Sequence, residues 1–199
     1  MSLRYALLAL LTSGPMTGYD ISRRFQSSVG HVWHAPDSQI YPELRKMESE
    51  GLVEAEAVED GGRGEKRFYR PTDDGIAALR EWMNGPVKYA LDRDPAHLKA
   101  AYFEWADPAA ARRSLEAHIA YYEDLLAQWQ GQIQEVDDGT SPVLSRRLEG
   151  RSGDEQRRIA AFKRFAYEGL VARARAEIGW ARNGMKLLDE LDGPRPGIR

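Results

Sequence analysis

The sequence predicts a mainly α protein with a small β-hairpin wing, built as an N-terminal winged helix-turn-helix followed by a C-terminal domain of long helices. Three observations predict it. Within the first 85 residues, three amphipathic helical patterns, one alternating hairpin pattern and a fourth helical pattern follow one another, the element order of a winged helix. After Asn84-Gly85-Pro86 the pattern becomes almost wholly helical, which sets the expected domains at 1–85 and 86–199. The composition, 42% hydrophobic and 30% charged over 199 residues, supplies enough apolar side chain to offset ordering entropy and excludes a disordered or collagen-like chain.

Each element has a local cause. Ser2 offers a cap for a first helix to about Ser13, ended by Gly14-Pro15. Thr17-Gly18-Tyr19-Asp20 has capping-box spacing and opens a second helix whose Ile21, Phe25 and Val29 share one face. Asp37 or Ser38 caps a third, with Ile40, Leu44 and Met47 turned inward and Pro42 near the first turn, where its missing N–H costs little. Rotation by about 100° per residue puts Ser38, Pro42, Arg45, Lys46 and Ser49 opposite that stripe, with Gln39 and Tyr41 on its flanks. Gly51 closes the helix, and Leu52 to Val58 alternates as a strand. A glycine-rich turn ending at Gly64 precedes Lys66-Arg67-Phe68-Tyr69-Arg70, the returning arm of a hairpin. Thr72 then precedes a fourth helix carrying Ile76, Leu79 and Met83 on one side.

This order suits duplex DNA. The third helix fits a major groove about 12 Å wide, while a basic hairpin tip reaches the neighbouring backbone or minor groove. Arg63, Lys66, Arg67 and Arg70 cluster at that tip beside Gly61 and Gly62. Residues 1–85 nevertheless hold 10 Lys+Arg against 13 Asp+Glu, and the whole chain has a formal net charge of -3. No basic coat exists, so attraction for phosphate must come from placed cations. Ser38, Gln39 and Arg45 are expected to read base edges, the wing and helix-capping groups to hold phosphates, and Lys46 to be a further DNA contact.

These residues resemble the PadR-type transcriptional regulators. The resemblance rests on Leu7-Leu8-Ala9-Leu10-Leu11 with Gly14-Pro15-Met16-Thr17-Gly18-Tyr19, on Ser38-Gln39-Ile40-Tyr41-Pro42-Glu43-Leu44, on Glu48-Ser49-Glu50-Gly51-Leu52-Val53, and on Arg67-Phe68-Tyr69-Arg70-Pro71-Thr72-Asp73-Asp74-Gly75. Several separated motifs agreeing in order carry it, above all the Tyr-Pro inside the third helix. It implies a homodimeric repressor or, less often, activator, whose recognition helix and wing bind a pseudo-palindromic operator on double-stranded DNA. By family position, Tyr41 resembles the tyrosine that steadies a DNA-backbone contact, with Ser38 and Gln39 beside it. Thr17, Tyr19 and Pro42 complete the candidate DNA-binding set.

Residues 86–199 hold 18 Lys+Arg and 18 Asp+Glu and so offer DNA no net attraction. Asp94-Pro95 and Asp107-Pro108 mark two helix starts, the first helix running to about Trp105. In the second, Leu115, Ile119, Tyr122, Leu126, Trp129, Ile133 and Val136 recur at alternating spacings of four and three, a seam that needs a partner helix. Ser152 to Glu155 caps a last helix, along which Ile159, Phe162, Ala166, Leu170, Ala174, Ile178, Ala181, Met185 and Leu188 follow a helical period to about Leu191. The sequence leaves open whether this hairpin closes on its own chain or on a second copy.

The layout is similar to the larger PadR subfamily with a virulence-activator-type C-terminal part, in which helices exchange between protomers. It implies a dimer interface through Leu115, Ile119, Tyr122, Leu126, Trp129 and Ile133 with Phe162, Leu170, Ile178, Met185 and Leu188. Two-fold symmetry would set the recognition helices about 34 Å apart, one turn of DNA. Because relatives include sensors of phenolic acids and of flat hydrophobic drugs, the resemblance also implies a small aromatic or hydrophobic effector. Tyr102, Trp105 and Trp129 are its candidate contacts, with core packing as the other reading of these aromatics.

Several functions are excluded. Zero cysteines leave no disulfide framework, thiolate zinc site, iron–sulfur cluster or cysteine nucleophile. His31 and His34 lack a third ligand, so no metal is expected. Gly61-Gly62-Arg63-Gly64-Glu65-Lys66 lacks the lysine-serine/threonine ending of a phosphate loop and precedes a strand. No nucleophile, base and orienting group converge, so neither an enzyme nor a cofactor is expected. The apolar run Leu3–Leu11 is interrupted by Arg4 and falls far short of the roughly 20 residues of a membrane span, and a soluble cytoplasmic protein is expected. The alternative reading is a protein-interaction module that uses the C-terminal seam and binds no operator.

Overall fold

The chain builds its first core from four short helices and a small sheet. The computed structural model describes residues 3–27, 35–59, 65–87 and 93–192. Helix α1 is Leu3–Leu11, α2 is Gly18–Ser27, α3 is Asp37–Ser49 and α4 is Asp73–Asn84. Leu7, Leu8, Leu10 and Leu11 of α1 are buried against Ile21 and Phe25 of α2 and Ile40, Leu44 and Met47 of α3, the stripes that the spacing predicts. Val29 of the expected second stripe lies outside the described residues, as do His31 and His34.

The sheet has three strands where the sequence suggests two. Strand β2, Val53–Glu59, pairs antiparallel with β3, Glu65–Pro71, from Val53↔Pro71 to Glu59↔Glu65. A third strand, β1, Met16–Thr17, lies along the other edge of β3 with Met16↔Tyr69 and Thr17↔Phe68. Two residues are too few to show any alternation, which is why the sequence does not reveal β1.

Capping explains where the helices begin, with two corrections. The α2 box forms as expected, Thr17 Oγ1 accepting from Asp20 N at 3.1 Å and donating to Asp20 Oδ2 at 2.7 Å. Helix α3 starts after Pro36 without a side-chain cap, because the Asp37 carboxylate accepts from the Ser22 hydroxyl at 2.5 Å instead. Gly51 takes the left-handed φ of 73° that lets α3 end and β2 begin. Thr72 caps α4 by accepting from Gly75 N at 3.1 Å, and its hydroxyl donates to Gly51 O at 2.6 Å. Thr72→Ala, losing both bonds, is expected to cost about 1 to 2 kcal/mol in a urea unfolding titration.

The remaining helices are α5, Pro95–Ala100, α6, Pro108–Asp137, α7, Pro142–Leu148, and α8, Gly153–Asp192, with a 3₁₀ turn at Phe103–Trp105. Asp94 caps α5 through Ala96 N and His97 N, both at 3.0 Å, and the helix stops at Ala100, five residues short of the expected Trp105. Asp107 makes no cap bond, so Pro108 alone marks the start of α6. Ser152 and Glu155 form the expected reciprocal cap of α8.

The chain divides into two compact units, Met1–Lys88 with Ser141–Gln156, and Tyr89–Thr140 with Arg157–Arg199. The segment 86–199 therefore does not form one body: α7 belongs with the first unit, where Val143 packs on the core and Arg146 Nε lies 3.6 Å from the Cβ position of Gly14. In the second unit, α6 and α8 run antiparallel, with ion pairs from Arg112 to Asp189, Arg182 to Glu123 and Arg164 to Asp137. Among the described residues, no helix is long and apolar enough to cross a membrane.

Candidate nucleic-acid interface

Helix α3 presents a polar face because its apolar stripe is consumed by the core. Ile40, Leu44 and Met47 are fully buried, and Ser38, Gln39, Tyr41, Pro42, Arg45, Lys46 and Ser49 on the other side are exposed. Arg4 of α1 fixes the back of this helix. Its guanidinium reaches Glu43 Oε1 at 3.0 Å and Glu50 Oε2 at 2.7 Å, nearly two turns apart along α3.

The start of α2 joins this face at one close contact. A Cβ on Gly18 would lie 2.8 Å from Tyr41 Cε1, so the absence of a side chain at 18 admits the Tyr41 ring. Thr17 and the exposed Tyr19 flank that glycine. The wing joins the same face at its other side: Arg67 of β3 donates to Glu48 Oε1 of α3 at 2.6 Å, and the Arg67 guanidinium also lies over the Tyr69 ring. Arg70 meets Glu54 of β2 at 3.1 Å and Lys46 meets Glu50 at 3.9 Å, whereas Arg45 has no carboxylate partner among the described residues. Lys66 is exposed on β3, and Arg63 lies outside the described residues.

The structure thus gathers Thr17, Tyr19, Ser38, Gln39, Tyr41, Pro42, Arg45, Lys46, Lys66, Arg67 and Arg70 in one compact unit. Sequence reasoning did not find Arg4, Gly18, Glu48 or Glu54, whose partners lie on other elements at separations that no periodicity encodes. Lys46, Arg67 and Arg70 are half or more exposed and paired at the surface, where such pairs add little to folding stability and are readily exchanged for other anions.

The profile of the Transcriptional regulator PadR-like family matches residues 7–81. The Negative transcriptional regulator PadR of Bacillus subtilis is 31% identical over 143 residues, 71% of this chain and 78% of that protein. The chain belongs to the PadR-like family. It is a transcriptional regulator, in a family of regulators and not of enzymes. The crystal structure of B. subtilis PadR in complex with operator DNA superposes with a TM-score of 0.73 at 25% identity, covering 95% of this chain and 100% of that one. The Vibrio cholerae virulence activator AphA superposes with a TM-score of 0.69 at 26% identity, covering 96% and 99%.

The second unit of this PadR-like regulator closes its hairpin seam on itself. Trp129 of α6 is buried with Tyr167, Val171 and Ala174 of α8, and Tyr122, Leu126, Ile133 and Leu170 pack around them half-buried. Leu115 and Ile178 are buried, and Ile119, Met185 and Leu188 are half-buried. Phe162 and Ala166, by contrast, are exposed, and Tyr167 and Val171 take the inward positions that the expected stripe gives them. The expected stripe runs from Phe162 to Ala174 in four-residue steps, each about 40° past a full turn, whereas the buried positions alternate steps of four and three and so stay on one face.

The three aromatics expected at an effector site are not brought together. Trp129 lies in the α6–α8 core, whereas the exposed Tyr102 and Trp105 line an open cleft of about 410 Å³ with Leu98 and Phe103. A larger cleft of about 670 Å³ is lined by Phe103, Leu115, Trp180 and Leu188, with His97 and Glu104 as its polar members. Two of its lining residues meet in a contact the sequence does not show, His97 stacking on Trp180 with ring centroids 4.0 Å apart; His97 also meets Asp94 at 2.7 Å, and His118, beside Trp180, meets Glu177 at 3.2 Å. The backbone N–H of His97 is the main cause holding the Asp94 carboxyl below its ordinary range.

Burial pushes the Tyr167 phenol up to about 12, with the Glu135 carboxylate adding to the shift. The folded state thus favours the neutral phenol, whose hydroxyl donates to Gln132 Oε1 at 3.2 Å. This contribution is complete below the unfolded value near 10 and is lost as pH rises through about 12. Stability is expected to fall by about 2 kcal/mol across that interval, with the drop reduced in Tyr167→Phe, as measured by denaturant titrations at each pH.

Proposed function

We propose that this PadR-like regulator is a cytoplasmic homodimeric repressor that binds a pseudo-palindromic operator on double-stranded DNA. Residues 1–85 make the DNA contacts, and within 86–199 the helices α6 and α8 make the dimer. The observation that carries this reading is the exposed α3 face, bordered by the start of α2 at the Gly18–Tyr41 contact and by the wing at Glu48–Arg67. Ser38, Gln39 and Arg45 read base edges, while Thr17, Tyr19, Tyr41, Lys46 and the wing cations Arg63, Lys66, Arg67 and Arg70 position the phosphates. The B. subtilis relative is named a negative regulator and is solved with operator DNA, which supports repression by operator binding.

That relative is also solved with p-coumaric acid. A small aromatic or hydrophobic effector acting in the helical part would change the spacing of the two recognition helices by binding one dimer conformation better than the other. Tyr102 and Trp105 are the candidate contacts, and the Trp129 indole serves the core.

Selection from a random duplex library, paired with sedimentation of the protein at micromolar concentration, tests the reading. A dimer that enriches a two-fold symmetric sequence, with half-sites about 10 base pairs apart centre to centre, is expected. A monomer, or a library that emerges without enrichment, would replace it with the protein-interaction reading.

A further inference from the structure

We propose that Glu48 is a specificity-determining residue, acting as an internal competitor that holds Arg67 away from DNA until α3 is seated in a matching groove. The proposal rests on the DNA-binding reading above. Glu48 sits on α3 about one turn beyond Arg45, and its carboxylate accepts from Arg67 Nη2 at 2.6 Å across to β3. The pair ties α3 directly to the wing, and both partners keep solvent contact, with side-chain exposures of 29% for Glu48 and 50% for Arg67. A pair placed so is worth little to the fold but presents the guanidinium with a permanent anion.

A phosphate must therefore displace a carboxylate to gain Arg67. In a non-specific encounter α3 is not seated, the phosphate is reached loosely, and the short ion pair wins. When the recognition helix docks, the backbone beside the wing is held close to Arg67 and the exchange becomes favourable. Arg67 then contributes mainly to the cognate complex, which raises the ratio of specific to non-specific affinity by weakening the wrong complexes. The same arrangement recurs in Arg70–Glu54 at 3.1 Å and Lys46–Glu50 at 3.9 Å, so three of the interface cations carry a built-in anion. This gives a physical reason why a DNA-binding segment holds more carboxylates than cations.

The test uses the full-length protein and two duplexes, the one enriched from the random library and the same base pairs permuted, in anisotropy titrations across a salt series. Glu48→Gln is expected to tighten binding to the permuted duplex about three- to tenfold and to steepen its log K against log[salt] slope by about one. Binding to the enriched duplex should change less, so that selectivity falls at least threefold. Arg67→Gln should abolish the effect of Glu48→Gln, a dependence that a merely structural role for Glu48 would not show. Equal changes on both duplexes, no change on the permuted duplex, or an unchanged Glu48→Gln effect in the Arg67→Gln background would each overturn the proposal. Failure of the wild type to prefer any duplex would instead overturn the operator-binding reading. With no preferred duplex there is no matching groove for α3 to be seated in, and the competitor role falls with that reading.

Discussion

Gly75→Ala is expected to destabilise the DNA-binding unit by about 3 kcal/mol, although alanine replaces glycine inside a helix. At an open helical position the same change adds up to about 1 kcal/mol of stability, because glycine carries more conformational entropy into the unfolded chain. At Gly75 the sign reverses. A Cβ there would meet the Leu52 carbonyl oxygen at 2.0 Å and the Leu52 carbonyl carbon at 3.0 Å, both backbone atoms, with Leu8 Cδ2 at 3.2 Å. That carbonyl already accepts from Thr72 N at 3.2 Å, and Thr72 caps the helix through Gly75 N. Relief requires α4 to move away from the start of β2, which opens the junction that holds the hairpin on the core. Thermal and urea unfolding followed by circular dichroism measure the effect, and a variant as stable as the parent would show that the junction yields freely.

Arg45→Ala is expected to cost about 1 to 3 kcal/mol of binding to the enriched duplex and to relax the base preference at one position in each half-site. Arg45 stands on the exposed face of α3 next to the buried Leu44, has no carboxylate partner among the described residues and so faces no internal competitor. A guanidinium free to make two parallel bonds to a guanine edge loses base discrimination when truncated, whereas loss of a phosphate contact weakens all sequences alike. Competition of single-base variants against the enriched duplex separates these outcomes. A uniform loss across all variants would place Arg45 on the backbone instead of the bases.

Much of the DNA-binding unit was legible because its signals are local. The stripe Ile40, Leu44 and Met47, the box at Thr17 and Asp20, and the Thr72 cap each need only residues within one or two turns. Strand β1 escaped because Met16-Thr17 is shorter than any periodic window, and α7 because Pro142–Leu148 is a seven-residue helix inside what reads as a connection. The inward face of α8 departs from the expected stripe at Phe162 and Ala166 because successive four-residue steps each overshoot a full turn by about 40°, and the exposed side is reached within two or three of them. The charge logic of the interface was invisible for a different reason. Glu48 and Arg67 are 19 residues apart and meet only because the hairpin folds back along α3. Composition recorded the result, an acidic segment with placed cations, without its cause.

Anisotropy of the enriched and permuted duplexes with the wild-type protein, titrated from about 50 to 200 mM salt, tests the assignment of the α3 face and wing most directly. Preference for the enriched duplex by a factor of about a thousand or more, with affinity falling steeply as salt rises, is the expected result. Equal affinity for both duplexes at every salt concentration would contradict it.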